Sequence, residues 1–509
     1  MISSQSNYCR RALRPCSHRV ARGFCTILLC GVVRVNAAPS PPPVMVVDII
    51  PEFKSGETNT NSEPDLAVNP ANPSQIAASA YLPAVRGMSS IFISTDGGTT
   101  WDCRPAVPID KISCDVTLGF SGLFNMLYVA ALSDFDSTGE HEFVICRSNE
   151  LAQNRMDDSP LRQPKSGIDQ PYMAAATINE QDRVFVGVND WKGPSGQSNG
   201  MVIARTAAIV RSLDGNSRSP NGDFTSMPIE FSAPPQDSAE IRPAISADGK
   251  KIYGVFNRLN SPPNGNKRVG DVIVVRDDEG GNSGAASFTA LHDESGVAGF
   301  PVKKGRTFLF DLDSFPARLG GDRLGGDLAI AVDPQSADSL YVVWGEVLDG
   351  QPALHVTRST NGGQKWSDIL HTIKNAKNPG LAINNKGTLA FLYQQLVTDP
   401  GGKETWLTQV ELTKDDFQNV NSLTLSKFPS AELDNINGQP RLGDYLRLTA
   451  VGNAFYGIFA ASNVPDKSRF PSGVTFQRQA NFETKKLLDQ DGKEVQSSVD
   501  PFFFKVTEQ

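Results

Sequence analysis

From Glu63 onwards the chain repeats one pattern of apolar and polar positions. Each copy opens on an acidic or proline-bearing entry, runs through a short apolar stretch, and breaks at a Gly, Asn or Asp turn. It then resumes in a second apolar stretch. The clearest copies are EPDLAVNPANPSQIAASAYL from Glu63, CDVTLGFSGLFNMLYVAAL from Cys114 and DQPYMAAATINEQDRVFVGVND from Asp169. Four more begin at Glu240, Gly326, Asn378 and Gly443, and the spacings run from about 50 to 85 residues. Apolar runs of this length between turn residues predict strands, so each copy predicts a hairpin. Further strand-like runs lie between copies, at 89–93, 201–203 and 271–275.

Two hairpins per unit, repeated about seven times, predict an all-β fold, a β-propeller of four-stranded blades. A single four-stranded unit cannot bury both of its faces; radial stacking buries them and leaves short edges. Seven blades are favoured, with six as the alternative. Helical periodicity is confined to fragments such as 413–419. The run 44–49 precedes the first copy and 473–476 follows the last, so the two ends are expected to meet in one blade and close a single domain over 38–509. The stretch from about 482 to 509, with Phe502, Phe503 and Phe504, reads as an added strand or a packed tail.

The first 37 residues follow a different rule. Arg10, Arg11, Arg14, Arg19 and Arg22 precede an apolar run over 23–33, and Val35-Asn36-Ala37 suits a cleavage position. This predicts a cleaved signal peptide and a secreted or cell-envelope (periplasmic) location. The apolar run is too short to span a bilayer, so no transmembrane segment is expected in the mature chain. Four of the seven cysteines lie in that leader; Cys103, Cys114 and Cys146 remain, with their pairing open among three choices. Histidines after the leader are scattered at 141, 292, 355 and 371, and no Cys-x-x-Cys occurs. No metal site and no cofactor is expected on this evidence; Ca²⁺ on an acid-rich mouth is the one alternative kept. A net charge of −8 without a basic stripe argues against a nucleic-acid partner.

One octet narrows the reading. Ser94-Thr95-Asp96-Gly97-Gly98-Thr99-Thr100-Trp101 matches the Asp box, S-x-D-x-G-x-T-W, and Ser359-Thr360-Asn361-Gly362-Gly363-Gln364-Lys365-Trp366 is a second copy. Weaker echoes stand at 211–215 and 147–149. The residue types suit a tight hairpin: Asp or Asn caps its own backbone, Gly takes positive φ, and Trp packs the turn. The chain thus resembles the sialidase-like BNR-repeat (Asp-box) propellers. That resemblance implies that the octets lie between the third and fourth strands of their blades, away from the active face. It makes Ser94, Asp96, Gly98, Trp101, Ser359, Asn361, Gly363 and Trp366 structural.

In such a ring, ligand-facing residues come from the entries of the first strands and the exits of the second. The resemblance implies an arginine triad and a tyrosine nucleophile, for which Arg242, Arg323, Arg441 and Tyr445 are the candidates, with Asp169 as a candidate acid/base. Asp115, Asp190, Trp191, Arg258, Glu346 and Asp444 are candidate ligand-binding residues. The pattern departs from the family at one place: the region before the first octet offers Glu63-Pro64-Asp65 where the family has an R-I-P arginine. Two functions stand: a secreted sialidase-like propeller that recognises or cleaves glycans, with exo-α-sialidase chemistry if it is an enzyme, or a non-catalytic scaffold binding a protein or surface partner.

Overall fold

The computed structural model describes residues 43–58, 60–81, 91–104, 112–123, 125–133, 143–149, 161–163, 167–190, 196–198, 201–217, 224–232, 238–260, 264, 267–284, 287–309, 326–435 and 442–508. The described chain is all-β, relieved only by short 3-10 turns. Seven sheets of four or more strands follow one another along it. The first contains Asp65–Val68, Ile76–Ser79, Ile91–Ser94 and Asp102–Arg104. The second has Ile112–Phe120, Leu127–Ser133, Phe143–Ser148 and Leu161–Gln163. In the third, Ile168–Ile178, Gln181–Asp190 and Met201–Ser212 are followed by Thr225–Ser232, with Gly196–Ser198 also paired to Met201–Ser212. The fourth is Arg242–Ile245, Ile252–Leu259, Lys267–Asp277 and Phe300–Leu309; the fifth is Leu328–Asp333, Ser336–Leu348, Gln351–Ser359 and His371–Lys374. The sixth is Ala376–Ile383, Leu389–Thr398, Glu404–Thr413 and Asn421–Pro429.

The seventh sheet joins the two ends of the described chain. Arg447–Val451 and Ala454–Ser462 pair with Val499–Thr507, which pairs with Val44–Asp48. Thr475–Phe476 adds a parallel edge. The Phe502-Phe503-Phe504 run is therefore an interior strand rather than a tail. Successive side chains of a strand point to opposite faces. Phe502 and Phe504 accordingly enter the core shared with the sixth sheet, and Phe503 enters the core shared with the first.

Apolar side chains fill each gap between consecutive sheets. Ile91, Ile93, Leu118 and Val129 lie between the first and second, and Tyr128, Ile145, Val186 and Val210 between the second and third. The series continues around to Ile76, Phe92, Tyr456 and Phe503, between the seventh and the first. The first strands touch one another in chain order, and the seventh touches the first. They surround a cavity of about 540 Å³ lined by residues of all seven first strands, among them Ala67, Gly119, Ala175, Ala244, Ala331, Ala382 and Ala450. The arrangement is propeller-like.

Both octets occupy the connection from third to fourth strand of their sheets, with matching bonds. Gly98 N–H donates to Ser94 Oγ and Gly363 N–H to Ser359 Oγ, each at 2.9 Å. Thr100 N–H donates to Asp96 Oδ1 at 3.0 Å, and Lys365 N–H to Asn361 Oδ1 at 2.9 Å. Trp101 and Trp366 Nε1 donate to Gly98 and Gly363 carbonyls at 3.0 and 3.1 Å. The sixth sheet repeats this turn at 413–419, the stretch whose sequence suggests a helical fragment. There Phe417 N–H donates to Thr413 Oγ1 at 3.1 Å and Asn419 N–H to Asp415 Oδ1 at 2.9 Å. Asp416 (φ 56°) and Phe417 (φ 66°) take the left-handed places that glycines hold in the octets. Tertiary packing overrides propensity here: Phe417 stacks on His371 of the fifth sheet at 4.5 Å.

Candidate functional site

Five of the seven sheets begin with a backbone irregularity of one kind. Glu63 (φ 52°), Gln170 (φ 52°), Glu240 (φ 51°), Asn378 (φ 54°) and Gly443 (φ 86°) are left-handed residues at the entry to, or just before, a first strand. Pro64, Pro171 and Pro379 follow three of them directly, and a residue before proline ordinarily stays extended. A left-handed non-glycine residue costs roughly 1–2 kcal/mol. Strain of this kind concentrates at functional sites. The four non-glycine side chains are buried, not solvated.

The groups delivered by these entries meet. Arg242 lies with its guanidinium 4.7 Å from the Tyr172 ring and 5.9 Å from the Tyr445 ring. It is 1% exposed, and among the described residues its ionic neighbour is Glu240 Oε2 at 3.5 Å and none of its nitrogens makes a hydrogen bond. The Arg447 guanidinium lies 4.0 Å from the same Tyr172 ring, donates to Met173 O at 2.6 Å, and approaches Asp65 Oδ1 at 3.6 Å. The Tyr445 hydroxyl donates to Asp115 Oδ1 at 3.0 Å, and Gln170 Nε2 to Asp444 Oδ2 at 3.2 Å. Lys377 Nζ donates to the Gly443 carbonyl at 2.9 Å. A Cβ on Gly326 would stand 3.3 Å from Arg242 Nη2 and 3.1 Å from the Asp444 carbonyl, so a side chain there would press on both neighbours. With the Asn378 N–H donating to Asp327 Oδ1 at 2.6 Å, residues of all seven first-strand entries are linked.

Beneath this centre lies buried charge. Burial pushes the Asp327 carboxyl up to about 7, against the opposing pull of Lys377, an Asn378 N–H bond of 2.6 Å and Arg306. Burial lowers the Arg306 guanidinium to about 10, which leaves it charged at neutral pH. Among the described residues, no group of three or more His, Cys, Asp or Glu is placed to hold a metal ion.

Of the residues singled out in sequence, Arg242, Tyr445, Asp115 and Asp444 come together in this centre. Asp169 stands at its edge, where Oδ1 accepts from Gln170 N–H at 2.9 Å. Three expected ligand residues are engaged elsewhere. Asp190 is fully buried against Arg205 at 3.2 Å. Arg258 is held by Glu230 at 2.8 Å and the Ala298 carbonyl at 2.6 Å, on the outer part of its sheet. Glu346 is bracketed by His355 at 3.0 Å and Lys303 at 3.5 Å. Arg323, Arg441 and Trp191 lie outside the described residues, as does the side chain of Cys114, while Cys146 is buried between the first two sheets. The second guanidinium at the centre comes instead from Arg447, absent from the sequence-based candidates. Its place could have pointed to it, because Arg447 opens the first strand of its sheet, two residues after Tyr445. Tyr172 was equally missed, since it reads as an ordinary strand aromatic.

No protein-family model matches the chain, and no curated protein matches its sequence. Solved structures similar in form include a protein of unknown function from Dyadobacter fermentans, 10% identical with a TM-score of 0.40, covering 92% of this chain and 98% of that one. An ulvan lyase described as polysaccharide lyase PL25 is 9% identical with a TM-score of 0.42, covering 79% and 92%. A Trypanosoma rangeli sialidase in complex with the inhibitor DANA is 11% identical with a TM-score of 0.34; the match covers 91% of this chain and 57% of that one. At these values likeness assigns no chemistry.

Proposed function

We propose that the protein is a seven-bladed, sialidase-like β-propeller of the Asp-box kind that takes a carboxylate-bearing glycan at its mouth, to recognise or cleave it. Arg242 carries this reading. A guanidinium buried without hydrogen bonds is costly, by several kcal/mol in effective terms. A ligand carboxylate answers its planar, forked donors better than a point anion would. Tyr172 and Tyr445 offer aromatic faces for a pyranose ring, and Gln170 and Asp444 offer hydroxyl partners. The blade count is supported by seven sheets, seven apolar gaps and the cyclic contact of first strands.

For cleavage, the geometry favours Tyr445 as the reacting phenol, because its hydroxyl already donates a hydrogen bond to Asp115, a carboxylate placed to take the proton, at 3.0 Å. Exo-α-sialidase chemistry is the form that the family resemblance implies. The leader would send the protein to the cell envelope or outside, where such glycans are met. A non-catalytic role has its own supporting observation. Asp65, Asn189 and Asp327 near the mouth all accept backbone N–H groups of neighbouring sheets, from Leu118 (2.9 Å), Glu240 (2.7 Å) and Asn378 (2.6 Å). Side chains so engaged hold a scaffold, which would then present its mouth to a protein or surface partner.

The test combines turnover of a fluorogenic sialoside, ultraviolet detection of unsaturated products from uronate polysaccharides, and a glycan array with carboxyl-reduced controls. Binding restricted to the carboxylated forms is expected, weakened by about 2–5 kcal/mol in Arg242→Met. Turnover lost in Tyr445→Phe with binding retained would assign catalysis to that phenol. Silence in all three assays would reject the glycan and leave the scaffold.

A further inference from the structure

We propose that closure of the ring is proton-linked, through a buried cluster in which Asp48 and Asp500 share the single guanidinium of Arg478. The cluster lies where the first and last strands of the seventh sheet meet. Asp48 finishes Val44–Asp48, Asp500 opens Val499–Thr507, and these strands pair with Asp48 opposite Phe502. Arg478 follows Thr475–Phe476, the parallel partner of Val44–Asp48. All three side chains are 0% exposed.

One nitrogen serves both acids. Arg478 Nη2 donates to Asp48 Oδ2 at 2.8 Å and also to Asp500 Oδ2. Two carboxylate oxygens drawn to one nitrogen are close neighbours, and like charges that close resist double ionisation. Among the described residues the remaining contacts of the three side chains are uncharged. Asp48 Oδ1 accepts from Ile50 N–H at 3.0 Å, Asp500 from Asn463 Nδ2 and Ser498 Oγ at 3.0 Å each, and Arg478 Nη1 points to the Glu57 carbonyl at 3.4 Å. Two negative charges therefore face one positive charge away from water, and a single proton makes the cluster neutral. Asp48 is its natural seat. It accepts two hydrogen bonds where Asp500 accepts three, and burial raises its carboxyl in spite of Arg478.

The sign follows from linkage. A carboxyl raised in the folded state binds more protons there than in the unfolded chain, so stability is fullest in acid. It is lost as pH rises from the ordinary value of 3.8 through the raised one, and is level above that. The seam between the terminal strands thus tightens in acid and loosens as pH rises through the raised value.

Amide hydrogen exchange between pH 4 and 8, corrected for intrinsic chemistry, tests this on the full chain. Protection of amides in 44–48 and 499–507 is expected to fall with rising pH, by up to about tenfold per pH unit inside the titration window. Asp48→Asn mimics the protonated acid, and should hold acid-level protection across the range. Asp500→Asn, which also leaves one carboxylate to one guanidinium, should flatten the profile too and serves if Asp48→Asn does not fold. Seam protection that is constant with pH in the wild type, or a slope unchanged in either folded variant, would overturn the proposal.

Discussion

Single side chains at the mouth carry opposing duties, and burial decides which one shows. Asp327 is the clearest case, because its Oδ1 ties the fifth sheet to the sixth while its charge stays unfavourable at neutral pH. Its carboxyl is raised from 3.8 to about 7, so the folded state keeps the proton longer than the unfolded chain does. Stability should be greatest near pH 4 and decline up to about pH 7, at a slope approaching about 1.4 kcal/mol per pH unit for this one proton. Asp327→Asn retains the acceptor oxygen and should remove that slope, measured by urea unfolding at successive pH values. Arg242 illustrates the opposite duty. Because its carboxylate neighbour is the buried Glu240 at 3.5 Å, Arg242→Met alone takes the guanidinium from that charge and should cost about 3–5 kcal/mol. Arg242→Met combined with Glu240→Gln should instead leave the empty protein about as stable as wild type. A structural arginine would cost stability in the double variant too. Thermal unfolding with and without a bound glycan separates these outcomes.

The third-to-fourth-strand turns act as fasteners between neighbouring sheets. Arg147 donates to the Gly215 carbonyl of the next sheet, Arg276 to the Gly362 carbonyl at 2.5 Å, and Arg358 to Asp416 at 3.0 Å. In the first sheet the fastener is steric: Trp101 meets Phe503 of the seventh edge-on at 5.3 Å, and Gly98 lies directly over that ring. Gly98→Ala should therefore be severe, since Gly98 has φ 94° and an added Cβ would strike Phe503. A loss of at least about 3 kcal/mol is expected. Gly387→Ala is the matched control, with φ 75° but open space around it, and should cost only about 1 kcal/mol. Guanidinium unfolding of the two variants checks the difference.

Across the whole molecule, stability depends on the ends meeting. Val499–Thr507 supplies an interior strand and the aromatic contents of two inter-sheet gaps, so a chain ending at Ser498 would expose both faces of the seventh sheet. That truncation should lose the cooperative unfolding transition in calorimetry altogether. A tail merely laid on the surface would leave the transition in place, lowered by a few degrees.

Much of this architecture was legible in the sequence because it is local. Strand runs and turn residues declare themselves within ten residues, and the octets at 94–101 and 359–366 need only their own side chains to form. The turn at 413–419 escaped notice because its left-handed positions are filled by Asp416 and Phe417, which only contacts from the fifth sheet make tolerable. The site divides in the same way. Sequence pointed to the strand entries and to Arg242, Tyr445, Asp115 and Asp444, since the repeat marks where a polar mouth must lie. It gave no means of pairing Tyr445 with Asp115, 330 residues apart, or of bringing Arg447 and Arg242 onto one tyrosine. Those pairings depend on how far each sheet is rotated about the shared axis. Asp190, Arg258 and Glu346 fall away for the same reason, each captured by a cation or carboxylate that packing brought beside it. Hydrophobic alternation and turn chemistry thus determined the elements and their order. The neighbours of each charge, and so the chemistry of the mouth, were decided only when the sheets closed on one another.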